Sequence, residues 1–181
     1  KLETSNVACL DSSITIKAVP ATNAIPDTYI WNGVNGNNSF NSVISEASNV
    51  YTLQTKVKVT DDLTCEDQTS ITIAGKENPN INFEWDDNIC EGEKVTFKAK
   101  ASNDADLYIW PDGSRSTLTS WTEGVSQNNS STPYSYKITG INQYASNTGV
   151  LNCTQSKEYQ VTVHALPVLK IDGPAFICKD A

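Results

Sequence analysis

The sequence repeats itself, and this repetition constrains the fold more than any other feature of the chain. When Cys9 is aligned with Cys90, the segment Val7–Ala18 falls on Asn88–Ala99, and apolar residues recur at matching alternate positions. The spacing from Cys9 to Cys90 is 81 residues, and self-similarity at such a period indicates tandem copies of one structural unit. The later matches are Tyr29–Trp31 with Tyr108–Trp110, Cys65 with Cys153, and Thr69–Ile73 with Tyr159–Val163.

A third copy begins near the end of the sequence. Pro79 precedes Cys90 by 11 residues, and Pro167 precedes Cys178 by the same interval. We therefore predict two complete domains and the start of another, and we expect the natural protein to contain further copies. The predicted bounds are 1–76 for the first domain, 77–166 for the second, and 167–181 for the opening strand of a third.

Each copy consists of short stretches in which apolar and polar residues alternate, separated by clusters of turn-forming residues. In the second copy Val95 and Phe97 alternate with polar residues, and so do Tyr159, Val161 and Val163. About seven such stretches per copy indicate a sandwich of two sheets. The predicted fold class is therefore all-β, with two tandem Ig-like antiparallel β-sandwiches.

One tryptophan occupies the same place in both copies. Trp31 lies 22 residues after Cys9, and Trp110 lies 20 residues after Cys90, each on the predicted third strand. A large aromatic side chain within a polar segment is typical of the residue that fills the space between two sheets. We expect Trp31 and Trp110 to be core residues.

The composition excludes several classes of function. The chain carries 13 basic and 21 acidic residues, and a net charge of −8 does not suit a nucleic-acid partner. The single histidine, His164, is expected at a solvated strand end, which argues against His-dependent catalysis and against zinc. The acidic turn 103–106, with Asp112, lacks a complete calcium motif. No apolar run is long enough to span a membrane. We predict no catalytic residue, no cofactor and no metal site.

Four strings in the second copy resemble a known family. They are Ile89-Cys90-Glu-Gly-Glu-Lys-Val95-Thr-Phe97, Tyr108-Ile109-Trp110-Pro-Asp-Gly113, Tyr134-Ser-Tyr136-Lys-Ile138-Thr-Gly140, and Asn152-Cys153-Thr154. Together they resemble the Ig-like and PKD-like repeats of very large secreted surface proteins of Bacteroidota, which include gliding-motility adhesins and other products of type IX secretion. The first copy departs from the pattern, since Leu10-Asp11-Ser12 replaces the Glu-Gly-Glu turn. The resemblance implies an extracellular rod or spacer, sometimes with adhesive tips, and no catalytic residues.

The cysteines indicate disulfides rather than a metal cluster, because an exported chain of this kind meets an oxidising environment. The candidates are Cys9, Cys65, Cys90, Cys153 and Cys178. Three pairings remain open: Cys9–Cys65 with Cys90–Cys153 inside the domains, Cys9–Cys153 between stacked domains, or Cys65–Cys90 with Cys153–Cys178 if leading strands fold back. The alternation places Cys90 at the turn before the second strand and Cys153 at the turn after the sixth. Those turns lie roughly 20 Å apart in a sandwich, so a bridge within one domain requires a shifted strand assignment.

Three functions remain open, and the third, after the two below, is an accessory domain of an enzyme whose catalytic domain lies elsewhere in the full-length chain. The favoured one is a non-catalytic extracellular repeat segment of a long cell-surface adhesin or filament protein, acting as a stiff disulfide-stabilised spacer. Its partners would be adjacent repeats of the same chain, with other copies in a filament or surface glycans as further candidates. The alternative is a glycan- or protein-binding module that uses loops at one pole. Trp121, which has no counterpart in the first copy, is the candidate ligand contact, and Trp85 is expected to pack at the interdomain junction.

Overall fold

The computed structural model describes residues 1–20, 25–125, 133–170 and 172–173. Every regular element within these ranges is a β-strand. The described part of the chain contains no helix of the length and apolarity needed to cross a membrane.

Within the described residues, the first sandwich has eight strands in two sheets. One sheet has the order β1-β3-β6, and the other has the order β2-β8-β7-β4-β5. The strands are β1 (Leu2–Glu3), β2 (Val7–Cys9), β3 (Ser13–Ala18), β4 (Thr28–Trp31), β5 (Val34–Gly36), β6 (Ser39–Val43), β7 (Ser48–Lys58) and β8 (Thr64–Lys76).

The second sandwich repeats this topology. Its sheets have the orders β9-β11-β14 and β10-β16-β15-β12-β13, which match the first sandwich strand for strand. The prediction of an all-β chain of Ig-like sandwiches is confirmed. The strands are β9 (Phe83–Glu84), β10 (Asn88–Cys90), β11 (Lys94–Ala99), β12 (Leu107–Ile109), β13 (Arg115–Ser116), β14 (Ser120–Gly124), β15 (Tyr134–Ser146) and β16 (Gly149–His164).

The first predicted strand of each copy is split between the two sheets. In the second copy β9 pairs with β11 in one sheet, and β10 then pairs with β16 in the other. The chain crosses between the sheets without reversing, so β10 runs parallel to β16, as β2 does to β8. In the part of the chain that the structure describes, each sandwich is therefore antiparallel except for one parallel pair, and it has eight strands rather than about seven.

Each sandwich encloses its own core. In the first, Trp31 is 1% exposed, stacks on Phe40 at a centroid distance of 5.5 Å, and donates its indole N–H to the Asn37 carbonyl at 2.9 Å. In the second, Trp110 is 3% exposed and meets Phe83 edge to face at 5.6 Å. Such aromatic geometry adds to the energy of burial. The two tryptophans fill equivalent places between the sheets.

The turn after β2 shows how the first copy manages without the glycine of the second. Gly92 has a φ of 83°, and Asp11 adopts the same left-handed region with a φ of 61°. Aspartate tolerates this region better than most side chains. Ser12 N–H and Glu93 N–H close the two turns, on the Cys9 carbonyl at 3.2 Å and the Cys90 carbonyl at 3.1 Å. Both copies therefore hold the preceding cysteine in the same backbone geometry.

The last two strands of each sandwich form a hairpin that is much longer than the sequence pattern indicates. The β15–β16 ladder continues from Tyr134 opposite Val161 to Ser146 opposite Gly149. Cys153 lies inside this ladder, opposite Asn142, and the prediction that it occupies a turn is wrong. The hairpin extends beyond the core of its own sandwich, and its outer residues contact the first sandwich.

The predicted third copy falls mainly outside the described residues. The described part of 167–181 consists of residues 167–170 and 172–173, and it contains no strand. Cys178, with the predicted strand around it, lies outside the described residues.

Candidate functional site

The two sandwiches meet at a junction that begins with the end of the first one. β2 pairs with the last residues of β8, so Cys9 lies beside Lys76, where the chain leaves the first sandwich. Leu10 N–H then donates to the Lys76 carbonyl at 2.8 Å, which ties the turn to the exit strand. This exit end presents Cys9 toward the second sandwich.

A disulfide joins the exit end to the long hairpin of the second sandwich. Cys9 and Cys153 are bonded across a sequence separation of 144 residues, with their Cα atoms 5.5 Å apart. That Cα distance lies within the usual range for disulfides. Of the three pairings that the sequence left open, this is the one between stacked domains. The Cys153 side chain is 0% exposed, which places the bond within the junction.

The tip of the same hairpin is held by a reciprocal pair of asparagines. Asn6 N–H donates to Asn147 Oδ1 at 3.0 Å, and Asn147 N–H donates to Asn6 Oδ1 at 2.9 Å. Asn147 Nδ2 also donates to the Thr4 carbonyl at 3.3 Å. Three directed hydrogen bonds from one side chain pair fix the angle of the hairpin against β2 as well as its distance.

Tyr144 forms a third contact between the sandwiches. Its hydroxyl donates to the Glu77 carbonyl at 3.1 Å, and the Lys76 ammonium lies 5.4 Å from its ring centroid. A cation over an aromatic face is attracted by about 0.5–1 kcal/mol at exposed sites. The hairpin therefore contacts β8, the strand by which the chain leaves the first sandwich, and also the first residue of the linker, which comprises residues 77–82.

The linker itself packs against the base of the hairpin. Pro79 and Ile81 are buried, and they lie over Gly140 of β15. A Cβ atom at Gly140 would overlap the Ile81 side chain and approach the Ala105 Cβ at 3.1 Å. Glycine is required at this position because the Ile81 and Pro79 side chains of the linker approach the strand so closely.

Gly140→Ala is expected to destabilise the second sandwich by about 1–3 kcal/mol, because the added methyl overpacks the contact with Ile81. Chemical denaturation followed by tryptophan fluorescence measures the change. Gly124→Ala is the matched control, since no atom of the described residues lies within 4 Å of a Cβ built there. An equal effect of the two substitutions would contradict the close approach.

The acidic turn between β11 and β12 braces the linker rather than presenting free carboxylates. Asp104 Oδ1 accepts the Asn80 backbone N–H at 2.6 Å, and Asp106 Oδ2 accepts the Gln143 backbone N–H at 2.7 Å. Among the described residues, no group of three or more His, Cys, Asp or Glu side chains is placed to hold a metal ion. These two aspartates connect the linker to the hairpin.

Trp121, the candidate ligand contact, covers the edge of the second core. It lies on the edge strand β14 and is partly buried, with its ring stacked on Trp110 at a centroid distance of 6.3 Å. Its indole N–H donates to Asp112 Oδ2 at 3.2 Å. Hydrogen bonds from the Ser114 hydroxyl and backbone amide lower the pKa of Asp112. Trp121 lies apart from the junction residues.

Trp85 packs in the second core, so the prediction that it packs at the junction is wrong. Its ring meets Tyr159 at 4.8 Å and Phe97 at 6.3 Å, and its indole N–H donates to the Gln160 carbonyl at 3.1 Å. The cause is strand alternation, which places Trp85 on the same side of the chain as Phe83, two residues earlier.

The remaining candidates lie at the outer ends of the two sandwiches. Cys65, on β8, and Cys90, on β10, are exposed and carry free thiols. His164 is the last residue of β16, and its Nε2 lies 2.9 Å from Asn88 Oδ1. These three residues are outside the Cys9–Cys153 junction.

Sequence reasoning missed Asn6, Asn147 and Tyr144. One signal was present in the repeat alignment. Ten residues separate Asn142 from Cys153, whereas seven separate the corresponding Val57 and Cys65. An insertion in one copy of a repeat is typical of a surface with its own role, and here it forms the hairpin tip at the junction.

Comparisons with known proteins give distant matches. No family model and no curated protein matches the chain. Among solved structures, the amphioxus IgVJ-C2 molecule is 11% identical with a TM-score of 0.33, over 86% of this chain and 99% of that one. Murine CEACAM1b is 10% identical with a TM-score of 0.32, over 89% and 96%. SGBP-B of the Bacteroides ovatus mixed-linkage glucan utilization locus, solved with a mixed-linkage heptasaccharide, is 10% identical with a TM-score of 0.24, over 88% and 44%. Our fold assignment rests on the strand orders described above.

Proposed function

We propose that this chain is a non-catalytic, extracellular repeat segment of a long cell-surface adhesin or filament protein. Its role is that of a stiff, disulfide-stabilised spacer that sets the distance and direction between neighbouring parts of the protein. The observation that carries the proposal is the Cys9–Cys153 bond between the exit end of one sandwich and the hairpin of the next.

The contacts around that bond support stiffness. Relative motion is the default for two domains joined by a small interface. Here the disulfide, the Asn6–Asn147 pair and the Tyr144 contacts hold three separate parts of the hairpin. Flexible linkers are rich in Gly and Ser, whereas this linker contains neither between Glu77 and Asn82, and its Pro79 is buried. Bending the pair would therefore break several contacts at once.

The disulfide also supports an extracellular location, because such bonds persist in oxidising compartments. The resemblance of the Ile-Cys-x-Gly-Glu-x-Val-x-Phe and Tyr-Ile-Trp strings to repeats of secreted Bacteroidota surface proteins supports a place at the cell surface. We propose an origin in such a secreted adhesin on these grounds.

Small-angle scattering of the protein tests the spacer role. Two sandwiches in line should give a maximum dimension of roughly 70–80 Å, since one sandwich of six- to seven-residue strands with its turns measures roughly 35–40 Å. The scattering curve should fit a single elongated shape. A compact pair of sandwiches packed side by side, or a curve that requires many interdomain angles, would overturn the proposal.

The binding-module alternative gains little from Trp121. One face of its indole is already stacked on Trp110, and its N–H is engaged by Asp112. A sugar-stacking platform needs an exposed aromatic face and free polar groups around it. The junction contacts favour the spacer over this alternative.

A further inference from the structure

Each repeat has one cysteine at its exit end, where the chain leaves the sandwich. Its other cysteine lies at the opposite end, on the long hairpin, which we call the entry end. The exit cysteines, Cys9 and Cys90, close the strand that runs parallel to the last strand of the sandwich. The entry cysteines, Cys65 and Cys153, lie on the long hairpin, opposite Val57 and Asn142. The junction uses one cysteine of each kind, Cys9 and Cys153.

We propose that Cys65 and Cys90 are the unpaired halves of two further junctions of the same kind. Cys65 takes the exit cysteine of a preceding repeat, and Cys90 takes the entry cysteine of a following repeat. The partner at each end is thus a repeat of this same type. The inference rests on the proposed spacer role and extends it to a ladder of disulfides that runs along an array.

The exit end of the second sandwich reproduces the backbone geometry that presents Cys9. Glu91 N–H donates to the His164 carbonyl at 2.9 Å, as Leu10 N–H donates to the Lys76 carbonyl at 2.8 Å. The turns that follow the two exit cysteines close on Cys9 and Cys90 with the same hydrogen bond, as described above. Because the side chain direction follows the backbone, Cys90 projects from its sandwich as Cys9 does.

The entry end of the first sandwich is exposed to solvent, whereas the entry end of the second sandwich is covered by the first sandwich. Cys65 is exposed, whereas its counterpart Cys153 is 0% exposed. The hairpin tip beside Cys65 leaves Val59 55% exposed and Leu63 52% exposed. The corresponding tip of the second hairpin lies against the first sandwich through Asn147, so a preceding repeat would cover these side chains in the same way.

A groove beside Cys65 on the first sandwich lies at the position that the linker occupies on the second sandwich. It has a volume of about 360 Å³, and Leu2, Leu53 and Thr55 contribute to its wall. Thr55 corresponds to Gly140 when the two hairpins are aligned on their cysteines. At Gly140 the corresponding space is filled by Pro79 and Ile81, both buried. A preceding repeat would fill this groove and bring its exit cysteine to Cys65.

Bond formation needs an oxidant, and a low-molecular-weight disulfide supplies it. A thiolate of one repeat attacks the disulfide and releases one small thiol, and the second protein thiolate then attacks the mixed disulfide and releases the other. Two protein thiols thus lose two protons and two electrons, and one small disulfide becomes two small thiols. Oxidised glutathione is the reagent that we would use.

The test mixes two variants, both in a Cys178→Ser background, whose only possible mixed disulfide joins Cys65 of one chain to Cys90 of the other. The Cys65→Ser variant retains Cys90, and the Cys90→Ser variant retains Cys65. One of the two is labelled with ¹⁵N, so that mass spectrometry distinguishes mixed dimers from like dimers. In oxidised glutathione the mixture should give at least about ten times more mixed dimer than either like dimer. Random pairing of equal amounts gives twice as much mixed dimer as either like dimer, so a tenfold ratio is a fivefold preference, or about 1 kcal/mol of contact energy at the new junction. The mixed dimer should link tryptic peptides 59–76 and 77–94.

A shifted thiol is the matched control. Thr69 is exposed on the same face of β8, four residues or roughly 13 Å from Cys65. A partner carrying Cys65→Ser, Thr69→Cys and Cys90→Ser should lose the preference for Cys90. A mixed dimer at no more than about twice the amount of either like dimer, which is random pairing, or no disulfide-linked dimer at all, would overturn the inference. Because scattering of the single chain does not depend on these thiols, an elongated shape without a mixed dimer would leave the spacer role standing.

Discussion

Replacing Trp110 with alanine is expected to lower the free energy of unfolding of the second sandwich by about 3–5 kcal/mol. The indole is 3% exposed and lies between the two sheets, where it contacts Phe83, Tyr108 and Trp121. The substitution removes this buried surface and leaves a cavity that β-strands fixed by their hydrogen bonds cannot collapse to fill. Denaturant titration followed by far-UV circular dichroism measures the loss.

Leu118→Ala provides the control for that experiment. Leu118 is 67% exposed in the same sandwich, and a surface substitution of this kind should change stability by less than about 0.5 kcal/mol. A loss below about 1 kcal/mol for Trp110→Ala would be incompatible with a core position. Trp31→Ala should behave like Trp110→Ala in the first sandwich, because the two residues are equivalent in the repeat.

Removing the junction disulfide is expected to cost about 2–4 kcal/mol of unfolding free energy. The bond closes a loop of 144 residues that contains most of both sandwiches, so its loss restores conformational freedom to the unfolded chain. Cys9→Ala with Cys153→Ala is the variant to measure, because alanine avoids burying a hydroxyl at the position of Cys153. The sandwiches should also unfold less cooperatively with each other once the link is absent.

Cys65→Ala with Cys90→Ala is the matched pair for that measurement. It also removes two sulfur atoms, but from exposed residues that form no bond within the chain. Its stability should stay within about 0.5 kcal/mol of the parent protein. If both double variants lost the same free energy of unfolding, the loss would result from replacing cysteine side chains and not from breaking the link between the sandwiches.

The fold could be predicted from the sequence because the repeat displays each strand twice. Alternation such as Val95 and Phe97 determines which side of a strand faces the core, and the aligned tryptophans mark the centre of each sandwich. Trp85 is also predictable in this way, since it follows Phe83 at the strand period of two residues, although it lies close to the linker in sequence. Local patterns of this kind depend only on burial within one domain.

The junction could not be predicted in the same way. The outer half of β15 contains Gly140, Asn142 and Tyr144, which read as a polar turn when a single sandwich is considered. Gly140 and Tyr144 contact the linker. Asn142 is buried and accepts the Asp106 backbone N–H of the β11–β12 turn at 3.2 Å. Spacing alone likewise allowed three cysteine pairings, and the choice between them depends on how far the hairpin projects. Contacts between domains leave a weaker mark on the sequence than contacts within a core.

The position of the disulfide determines which part of the chain can bear tension. When the two ends of the chain are pulled apart, force passes from Cys9 through the sulfur atoms to Cys153, and the residues between them carry none. Only the eight residues before Cys9 and the 28 after Cys153 can then be drawn out. The fully extended length falls from roughly 600 Å to roughly 130 Å. Such a molecule would lengthen little under load, because most of its residues lie between the two bonded cysteines.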